Sequence, residues 1–303
     1  MKITTILPVY KNHVLFINNL KKNWQFIKDT ELIIIDDASH EDIAARVKKI
    51  SADIIFLENK KNLGFAKSVN KAASYARTDL IMLLNSDVQL IDNSYITAIQ
   101  YFEHNPKIFG VSFLQIEKHQ DLVGKNQIAF INGLIRHNKA VDLKAGDTAW
   151  LEGGSMIVRR DYFENLGGFD QLYAPFYWED IDLSYRALKH GFKLRFEPGI
   201  KVFHNHQSTI GKYFSRSQIK RISYRNSFIF TWKNIHDRKL IFQHLMLLPF
   251  NIIYMLIRKE IEFSLGLIDA IRLLPQIIKK RKTEKKNMVI KDKDILKKVS
   301  DYV

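Results

Sequence analysis

The stretch Leu80-Ile81-Met82-Leu83-Leu84-Asn85-Ser86-Asp87 decides how this chain is read. Five apolar residues in succession mark a strand buried on both faces, and the polar triplet after them marks its carboxyl end. Toward the N-terminus the pattern recurs: residues 3 to 9 are β-rich and stop at Pro8-Val9-Tyr10, Leu32-Ile33-Ile34-Ile35 stops at Asp36-Asp37, and Ile54-Ile55-Phe56-Leu57 forms a third run. Between them apolar residues return at helical spacing, as Ile17, Leu20, Trp24 and Ile27, then Ile43, Val47 and Ile50, then Val69, Ala72, Ala73 and Ala76. Strands alternating with helices, each strand apolar on both faces, predict an α/β fold with a mostly parallel sheet covered by helices on two sides. Ligands of such sheets bind beyond the carboxyl ends of the strands, where Asp36-Asp37 and Asn85-Ser86-Asp87 stand. No G-x-G-x-x-G follows the first strand and no G-x-x-x-x-G-K-[ST] occurs, which argues against a dinucleotide fold and removes the P-loop enzymes.

With 303 residues, 46% of them hydrophobic, the chain can bury a full core, and disorder and disulfide-stapled miniproteins are excluded. It has no cysteine, so thiolate metal sites and thiol nucleophiles are excluded, and any metal must sit on oxygen and imidazole. The net charge of +15 favours anionic partners, yet from Lys279 to Val303 ten basic residues face four acidic ones, so much of the excess lies in the tail. No basic stripe interleaves with aromatics, which speaks against a nucleic-acid partner. The first apolar run is too short for a signal peptide, and the protein is expected to be cytoplasmic.

Residues 105–150 are less regular, with strands and loops expected to shape an acceptor side. Glu179-Asp180-Ile181-Asp182 opens a helix with Ile181, Tyr185 and Leu188 on one face and Gly191 as its cap, which puts Asp180 in the first turn near the positive end of the dipole. Beyond 210 the composition shifts. Leu240 to Ile257 is strongly apolar but carries Gln243, His244, Pro249 and Asn251, and Ile261 to Ile278 is apolar on part of its face. A spanning helix needs about 20 cleaner residues. These segments, followed by Lys279-Lys280-Arg281-Lys282, read as helices lying at an anionic membrane surface. The alternative is two packing helices and a solvated charged tail.

The ordered set Pro8-Val9-Tyr10, Asp36-Asp37-Ala38-Ser39, Asn62-Leu63-Gly64-Phe65-Ala66, Leu84-Asn85-Ser86-Asp87, Gly153-Gly154-Ser155, Gly167-Gly168-Phe169-Asp170, Trp178-Glu179-Asp180-Ile181-Asp182-Leu183 and His204-Asn205-His206 resembles family 2 glycosyltransferases. Within them it is most similar to the rhamnosyltransferase-like and galactofuranosyltransferase-like bacterial members. The match covers about residues 1–210. It implies a GT-A-like catalytic domain over 1–210, with a nucleotide-binding half of about 1–105 and an acceptor half of about 106–210, and a helical, basic region over 211–303.

The resemblance assigns roles that the chemistry supports. Pro8, Tyr10, Asp36, Asp37, Asn62, Gly64, Lys67, Asn85 and Ser86 would form the donor nucleotide pocket, since carboxylates accept hydrogen bonds from base N–H groups and sugar hydroxyls. Asp36 is placed ahead of Asp37 in that role; the alternative is that one of them, with Ser39, caps the next helix. Asn85-Ser86-Asp87 occupies the position of the family's Asp-x-Asp motif with its first carboxylate replaced by an amide. A divalent cation, Mg²⁺ or Mn²⁺, would be held by Asp87, His204 and His206, hard cations preferring oxygen.

Asp180 maps onto the base that takes the acceptor hydroxyl's proton in an inverting transfer; the alternative is that Glu179, Asp180 and Asp182 simply favour the helix N-terminus. Gly154, Trp178, Glu179 and Asp182 would face the acceptor or donor sugar, and Glu152 is not assigned a catalytic role. The activity implied is transfer of a sugar from dTDP-rhamnose or a UDP-sugar to a saccharide or polyprenyl-diphosphate-linked acceptor in cell-envelope polysaccharide assembly. Against it stand a catalytically silent sugar-nucleotide-binding or membrane scaffold, which Asn85 would favour, and a nucleotidyltransferase-like enzyme, which leaves the Trp-Glu-Asp helix unexplained.

Overall fold

The computed structural model describes residues 1–118, 120–204, 211 and 213–300. The N-terminal alternation gives β1 (Ile3–Val9), α1 (His13–Ile27), β2 (Glu31–Asp36), α2 (Ile43–Lys48), β3 (Ile55–Glu58), α3 (Phe65–Ala73) and β4 (Leu80–Leu84). The strands β3, β2, β1 and β4 lie side by side, all parallel. β2 and β4 are buried along nearly their whole length, as their unbroken apolar runs require. β3 differs: it stands at the end of the strand order and is only half-buried.

Beyond β4 the sheet turns mixed. β5 (Val88–Leu90), β6 (Ile108–Ile116), the short β7 (Leu122–Val123) and β10 (Gly146–Asp147), β11 (Ser155–Arg159) and β12 (Lys193–His204) extend it, with α4 (Ala98–His104) ahead of β6 and α5 (Arg160–Asn165) after β11; β11 is antiparallel between β4 and β6, and β12 is parallel to β6. The antiparallel pairing of β12 with β5 sets His204 opposite Val88, one residue past Asp87. The pairing of Phe203 with Ile116 brings Gln115 to the same end. Strands from both halves of the chain thus finish at one edge, which is why the sequence-distant residues of the site meet.

Two apolar layers cover the sheet. Phe16, Ile17 and Leu20 of α1 and Ile43 and Val47 of α2 fill one side. On the other, Val69, Ala72 and Ala73 of α3 join Ile181, Leu183 and Tyr185 of α6 (Glu179–Lys189). A hairpin of β8 (Asn126–Ile131) and β9 (Leu134–Lys139) stands apart, its two-residue turn Asn132-Gly133 having both φ angles positive, as a type I′ turn demands.

The C-terminal helices are α7 (Arg216–Asn234), α8 (Arg238–Ile257), α9 (Ile261–Arg272), α10 (Leu274–Asn287) and α11 (Asp292–Val299). The expected second apolar helix to Ile278 is broken at Leu273, where α9 ends and Pro275 starts α10. Phe228 and Phe230 of α7, Phe263 of α9 and Ile277 of α10 belong to the same core as α6. The helix α8 is long and apolar enough to cross a membrane, yet one face is docked: His244 is buried between the indole N–H of Trp232 (2.9 Å) and the carbonyl of Gly133 (2.6 Å). Its other faces leave Phe242, Leu245, Met246, Phe250, Ile253 and Ile257 exposed.

A buried ion cluster ties α7 to the acid helix. The Lys233 ammonium donates to Asp182 at 2.7 Å and to Asp170 at 2.6 Å, and the Arg186 guanidinium donates to Asp182 at 2.8 Å. Burial alone would raise the Asp182 carboxyl; Lys233 and Arg186 outweigh it and hold it well below the usual carboxylate range.

Candidate active site

At the carboxyl ends of β1, β2 and β4 lies a cleft of about 730 Å³ that reaches across to the start of α6. Its lining brings together Pro8, Tyr10, Asp37, Asn62, Gly64, Asn85, Ser86, Asp87, Gly154, Glu179, Asp180 and His204, twelve positions expected from the sequence.

Asp37, not Asp36, is the cleft residue at the end of β2. Its carboxylate accepts from the backbone N–H of Leu63 (2.8 Å) and Gly64 (2.8 Å) and from the Asn59 side chain (2.9 Å), which fixes the 62–64 turn. Gly64, at φ +80°, adopts a backbone geometry that glycine alone reaches without strain. Asp36 is buried beneath the cleft, where it accepts from the backbone and hydroxyl of Ser39 and closes a local turn; the next helix, α2, is capped by Asp42 instead, so Asp36 neither lines the cleft nor caps that helix.

Gly154 is required by packing: a Cβ there would lie 2.6 Å from the Asn85 side-chain nitrogen. Asn85 Oδ1 is buried with no hydrogen-bond partner among the described residues. Beside it, His204 Nε2 stands 3.5 Å from Asp87 Oδ1, while His204 Nδ1 meets Gln115 Oε1 at 2.5 Å. An amide oxygen only accepts, so His204 Nδ1 donates to Gln115, and Nε2 faces the Asp87 carboxylate, to which it donates when it too is protonated. Burial would lower the His204 pKa, but Asp87 outweighs burial and raises it.

Once Nε2 gives up its proton, it and the Asp87 carboxylate, with Gln115 holding Nδ1, would suit a divalent cation, and Asn85 Oδ1 adds an oxygen nearby. Among the described residues no group of three or more His, Asp or Glu assembles for a metal, so such a cation would need oxygens from a bound ligand to complete its shell. His206, the third expected ligand, lies outside the described residues.

Across the cleft, Asp180 Oδ2 accepts from the N–H of Gly153 at 3.2 Å and Oδ1 from the N–H of Ile181 at 2.8 Å. Burial raises the Asp180 pKa against those two donors. Glu179 is pushed up to about 8 by burial and by the Asp180 charge. Glu152, not expected at the site, joins them in the lining; burial and Asp180 push it up to about 7, while Asn126 donates to it at 2.8 Å. The three carboxyls share one corner of the cleft, and crowding of like charge there raises the proton affinity of Glu152 and Glu179 beside Asp180.

The backbone delivering this corner is strained. Tyr177 and Trp178 are both left-handed, at φ +70° and +77°, a conformation that costs non-glycine residues about 1 to 3 kcal/mol each. Asn226 of α7 pins it: its side-chain N–H₂ donates to the carbonyls of Tyr173 (3.0 Å), Phe176 (3.0 Å) and Tyr177 (2.9 Å).

Besides Asp36, three expected residues lie elsewhere. Trp178 turns away from the cleft to stand edge-on to His137 at 4.7 Å, a consequence of the left-handed pair. Asp182 is fully buried in the Lys233–Arg186 cluster and faces no cavity, because on the helix it points to the core. Lys67 is exposed on α3 and outside the lining. The sequence reading missed Gln115, Glu152 and Asn226. Glu152, beside Gly153-Gly154, had a signal in its position; Gln115 and Asn226 had none, since long-range pairing brings them in.

The profile described as glycosyl transferase family 2 matches residues 6–167. The chain belongs to this family. Poly-beta-1,6-N-acetyl-D-glucosamine synthase of Staphylococcus aureus (strain COL) is 27% identical over 171 residues, covering 55% of this chain and 41% of that protein. The pre-mycofactocin glycosyltransferase of Mycobacterium tuberculosis (strain CDC 1551 / Oshkosh) is 21% identical over 220 residues, 71% of this chain and 45% of that protein. The family 2 chain thus spans less than half the length of these curated relatives.

Among solved structures, GalNAc-T7 with UDP, GalNAc and Mn²⁺ aligns with a TM-score of 0.61 at 15% identity, over 78% of this chain and 48% of that one. TarS of S. aureus in complex with UDP aligns with a TM-score of 0.55 at 14% identity, over 81% and 71%. These likenesses show the fold: a GT-A-like mixed sheet flanked by helices, here followed by a helical C-terminal region.

Proposed function

We propose that this family 2 protein is an inverting, metal-dependent glycosyltransferase that moves a hexosyl or deoxyhexosyl unit from a nucleoside-diphosphate sugar to a saccharide hydroxyl. The observation that carries the reading is a single cleft with Asp37, Ser86, Asp87 and His204 at the strand ends and Asp180 at a helix start facing them. Asp37 and the 62–64 turn would hold the base and ribose, with Pro8, Tyr10, Asn85 and Ser86 around them. Asp87 and His204 would hold a divalent cation, Mg²⁺ or Mn²⁺, which when bound neutralises charge growing on the departing diphosphate.

Asp180 takes the proton of the acceptor hydroxyl as that oxygen bonds to the anomeric carbon. The bond from that carbon to the phosphate oxygen breaks at the same time, and its electron pair leaves with the nucleoside diphosphate. No covalent sugar intermediate is needed. The strained 177–178 turn and the Gly153 N–H fix the direction in which Asp180 accepts.

The resemblance favours dTDP-rhamnose or a UDP-sugar as donor, and GalNAc-T7 and TarS, solved with UDP, support the second. A synthase of poly-beta-1,6-N-acetyl-D-glucosamine among the relatives supports polysaccharide assembly. We assign catalysis to 1–210 and membrane contact to 211–303. The exposed side chains of α8, bounded by Arg238-Lys239 and Arg258-Lys259, support a peripheral place on the cytoplasmic face of an anionic membrane, where a polyprenyl-diphosphate-linked acceptor would be met.

The test is a thermal-shift panel of UDP-, dTDP-, GDP- and CDP-sugars with and without Mn²⁺ or Mg²⁺. One nucleotide at 100 times its Kd should stabilise the fold by about 2.7 kcal/mol, and only with metal. No shift with any of them would overturn the reading.

A further inference from the structure

A second cavity, of about 510 Å³, opens between the β8–β9 hairpin, α7 and α9, and Trp178 is part of its wall. Because Tyr177 and Trp178 are both left-handed, successive residues of one turn serve different spaces: Tyr177, Glu179 and Asp180 line the reaction cleft and Trp178 lines the second cavity. Backbone strain of this kind persists where the surroundings over-determine it, and Asn226 supplies that constraint here. The two cavities therefore lie on either side of the turn that leads into the proposed base.

The second cavity's chemistry differs from that of a nucleotide pocket. Among the described residues its lining has no carboxylate; aromatic Trp178, Tyr224 and His137 stand beside Ser223, Ser227 and Arg136. Flat apolar faces beside hydroxyl and guanidinium groups suit a sugar ring, whose C–H face packs on an aromatic ring while its hydroxyls need partners. His137 is held edge-on by Trp150 at 5.5 Å and Trp178 at 4.7 Å, and burial, with Arg136 adding to it, lowers its pKa to about 4. It stays neutral and offers one donor and one acceptor. The volume lies in the range of small-molecule sites.

We propose that this cavity is a saccharide subsite for the acceptor, taking a sugar unit beyond the one that reacts in the cleft. The proposal rests on the glycosyltransferase reading. The hairpin turn at Asn132-Gly133 also carries α8, so the subsite sits beside the exposed apolar helix from which a membrane-anchored acceptor would arrive.

The experiment is saturation-transfer NMR on the full chain, with and without saturating nucleotide, using the methyl glycosides of glucose, N-acetylglucosamine, mannose and rhamnose at millimolar concentration. At least one glycoside should bind the wild type. It should bind at least tenfold more weakly to Ser223→Trp, which fills the cavity, or to Arg136→Ala, whose exposed side chain leaves folding untouched, while each variant keeps the nucleotide-dependent thermal shift. No glycoside signal in the wild type, or signals unchanged in both variants, would overturn the subsite and leave the donor reading standing. Loss of the nucleotide shift in the wild type would instead overturn the donor reading.

Discussion

The side-chain amide of Asn226 donates to the carbonyl of Tyr177 at 2.9 Å across 49 residues of sequence, and this bond couples the C-terminal helices to the acid corner. The same amide serves Tyr173 and Phe176, so Asn226→Leu would leave three backbone carbonyls short of a partner. Each buried group so exposed to loss costs about 1 to 3 kcal/mol. The expected outcome is a lower Tm together with a fall in kcat larger than any change in donor KM, since the turn positions Asp180 and not the nucleotide. A variant with lowered Tm and unchanged kcat would remove Asn226 from the positioning of the base.

Asp180→Asn keeps the shape of the corner and removes its base. Transfer should fall by about 10²- to 10⁴-fold while the nucleotide-dependent thermal shift is retained. In the wild type, burial raises the Asp180 pKa, so the rate should climb with pH above the ordinary carboxylate range as the base ionises. The stability should move the other way. Glu152 and Glu179 hold their protons more tightly folded than unfolded, at about 7 and about 8 against 4.5. That stabilisation is complete below pH 4.5 and is lost as pH rises through those values. Tm should therefore fall between pH 5 and 8.5, and Glu179→Gln should flatten the fall; a flat wild-type profile would count against the buried acid cluster.

How much of this was legible in the sequence depends on the range of the interaction. The strand ends carrying Asp37 and Asp87, and the helix start carrying Asp180, follow from local pattern, because an apolar run and its polar stop are written in adjacent residues. Asp36 and Asp37 could not be ranked that way: which of two neighbours faces the cleft is set by the alternation of β2 and by Ser39 capturing Asp36. Trp178 misled for a similar reason, since two left-handed residues in a row reverse the face that spacing implies. Gln115 reaches the site through a partner 89 residues away and Asn226 through partners 49 to 53 residues away, and no local signal marks them.

Gln115 offers a test of the proposed metal pair. Its amide oxygen fixes the His204 tautomer, and Gln115→Leu removes that constraint without touching Asp87. Loss of such an outer partner weakens metal binding about 10- to 100-fold. The Mn²⁺ concentration needed for half of the nucleotide-dependent thermal shift should rise by that factor, and an unchanged value would show that Gln115 does not set His204.

Lys233 is expected to behave as an architectural residue. It is buried between Asp170 and Asp182, so Lys233→Met leaves two carboxylates in the core with weaker compensation. Breaking a buried pair by removing one partner costs about 3 to 5 kcal/mol. Urea unfolding should show a loss of that size, and Lys233→Met combined with Asp182→Asn should recover part of it. A loss within 0.5 kcal/mol, as about the size seen at exposed positions, would mean that the cluster is not what joins α7 to α6.

The outer surface of α8 separates a membrane-facing role from a packing role. Phe250 is 68% exposed and Ile253 57% exposed, so neither is held by the protein itself, whereas His244 on the docked face is fully buried. Phe250→Glu with Ile253→Glu should therefore leave Tm and the nucleotide shift unchanged and abolish co-flotation with phosphatidylglycerol-containing vesicles. Wild-type flotation should weaken as salt is raised, because Arg238, Lys239, Arg258 and Lys259 flank the apolar face and their attraction to anionic headgroups is screened within about a Debye length. If the wild type fails to float and instead forms a dimer that the double variant dissolves, the face is a contact between two copies of this chain, and the acceptor reaches the cleft from solution.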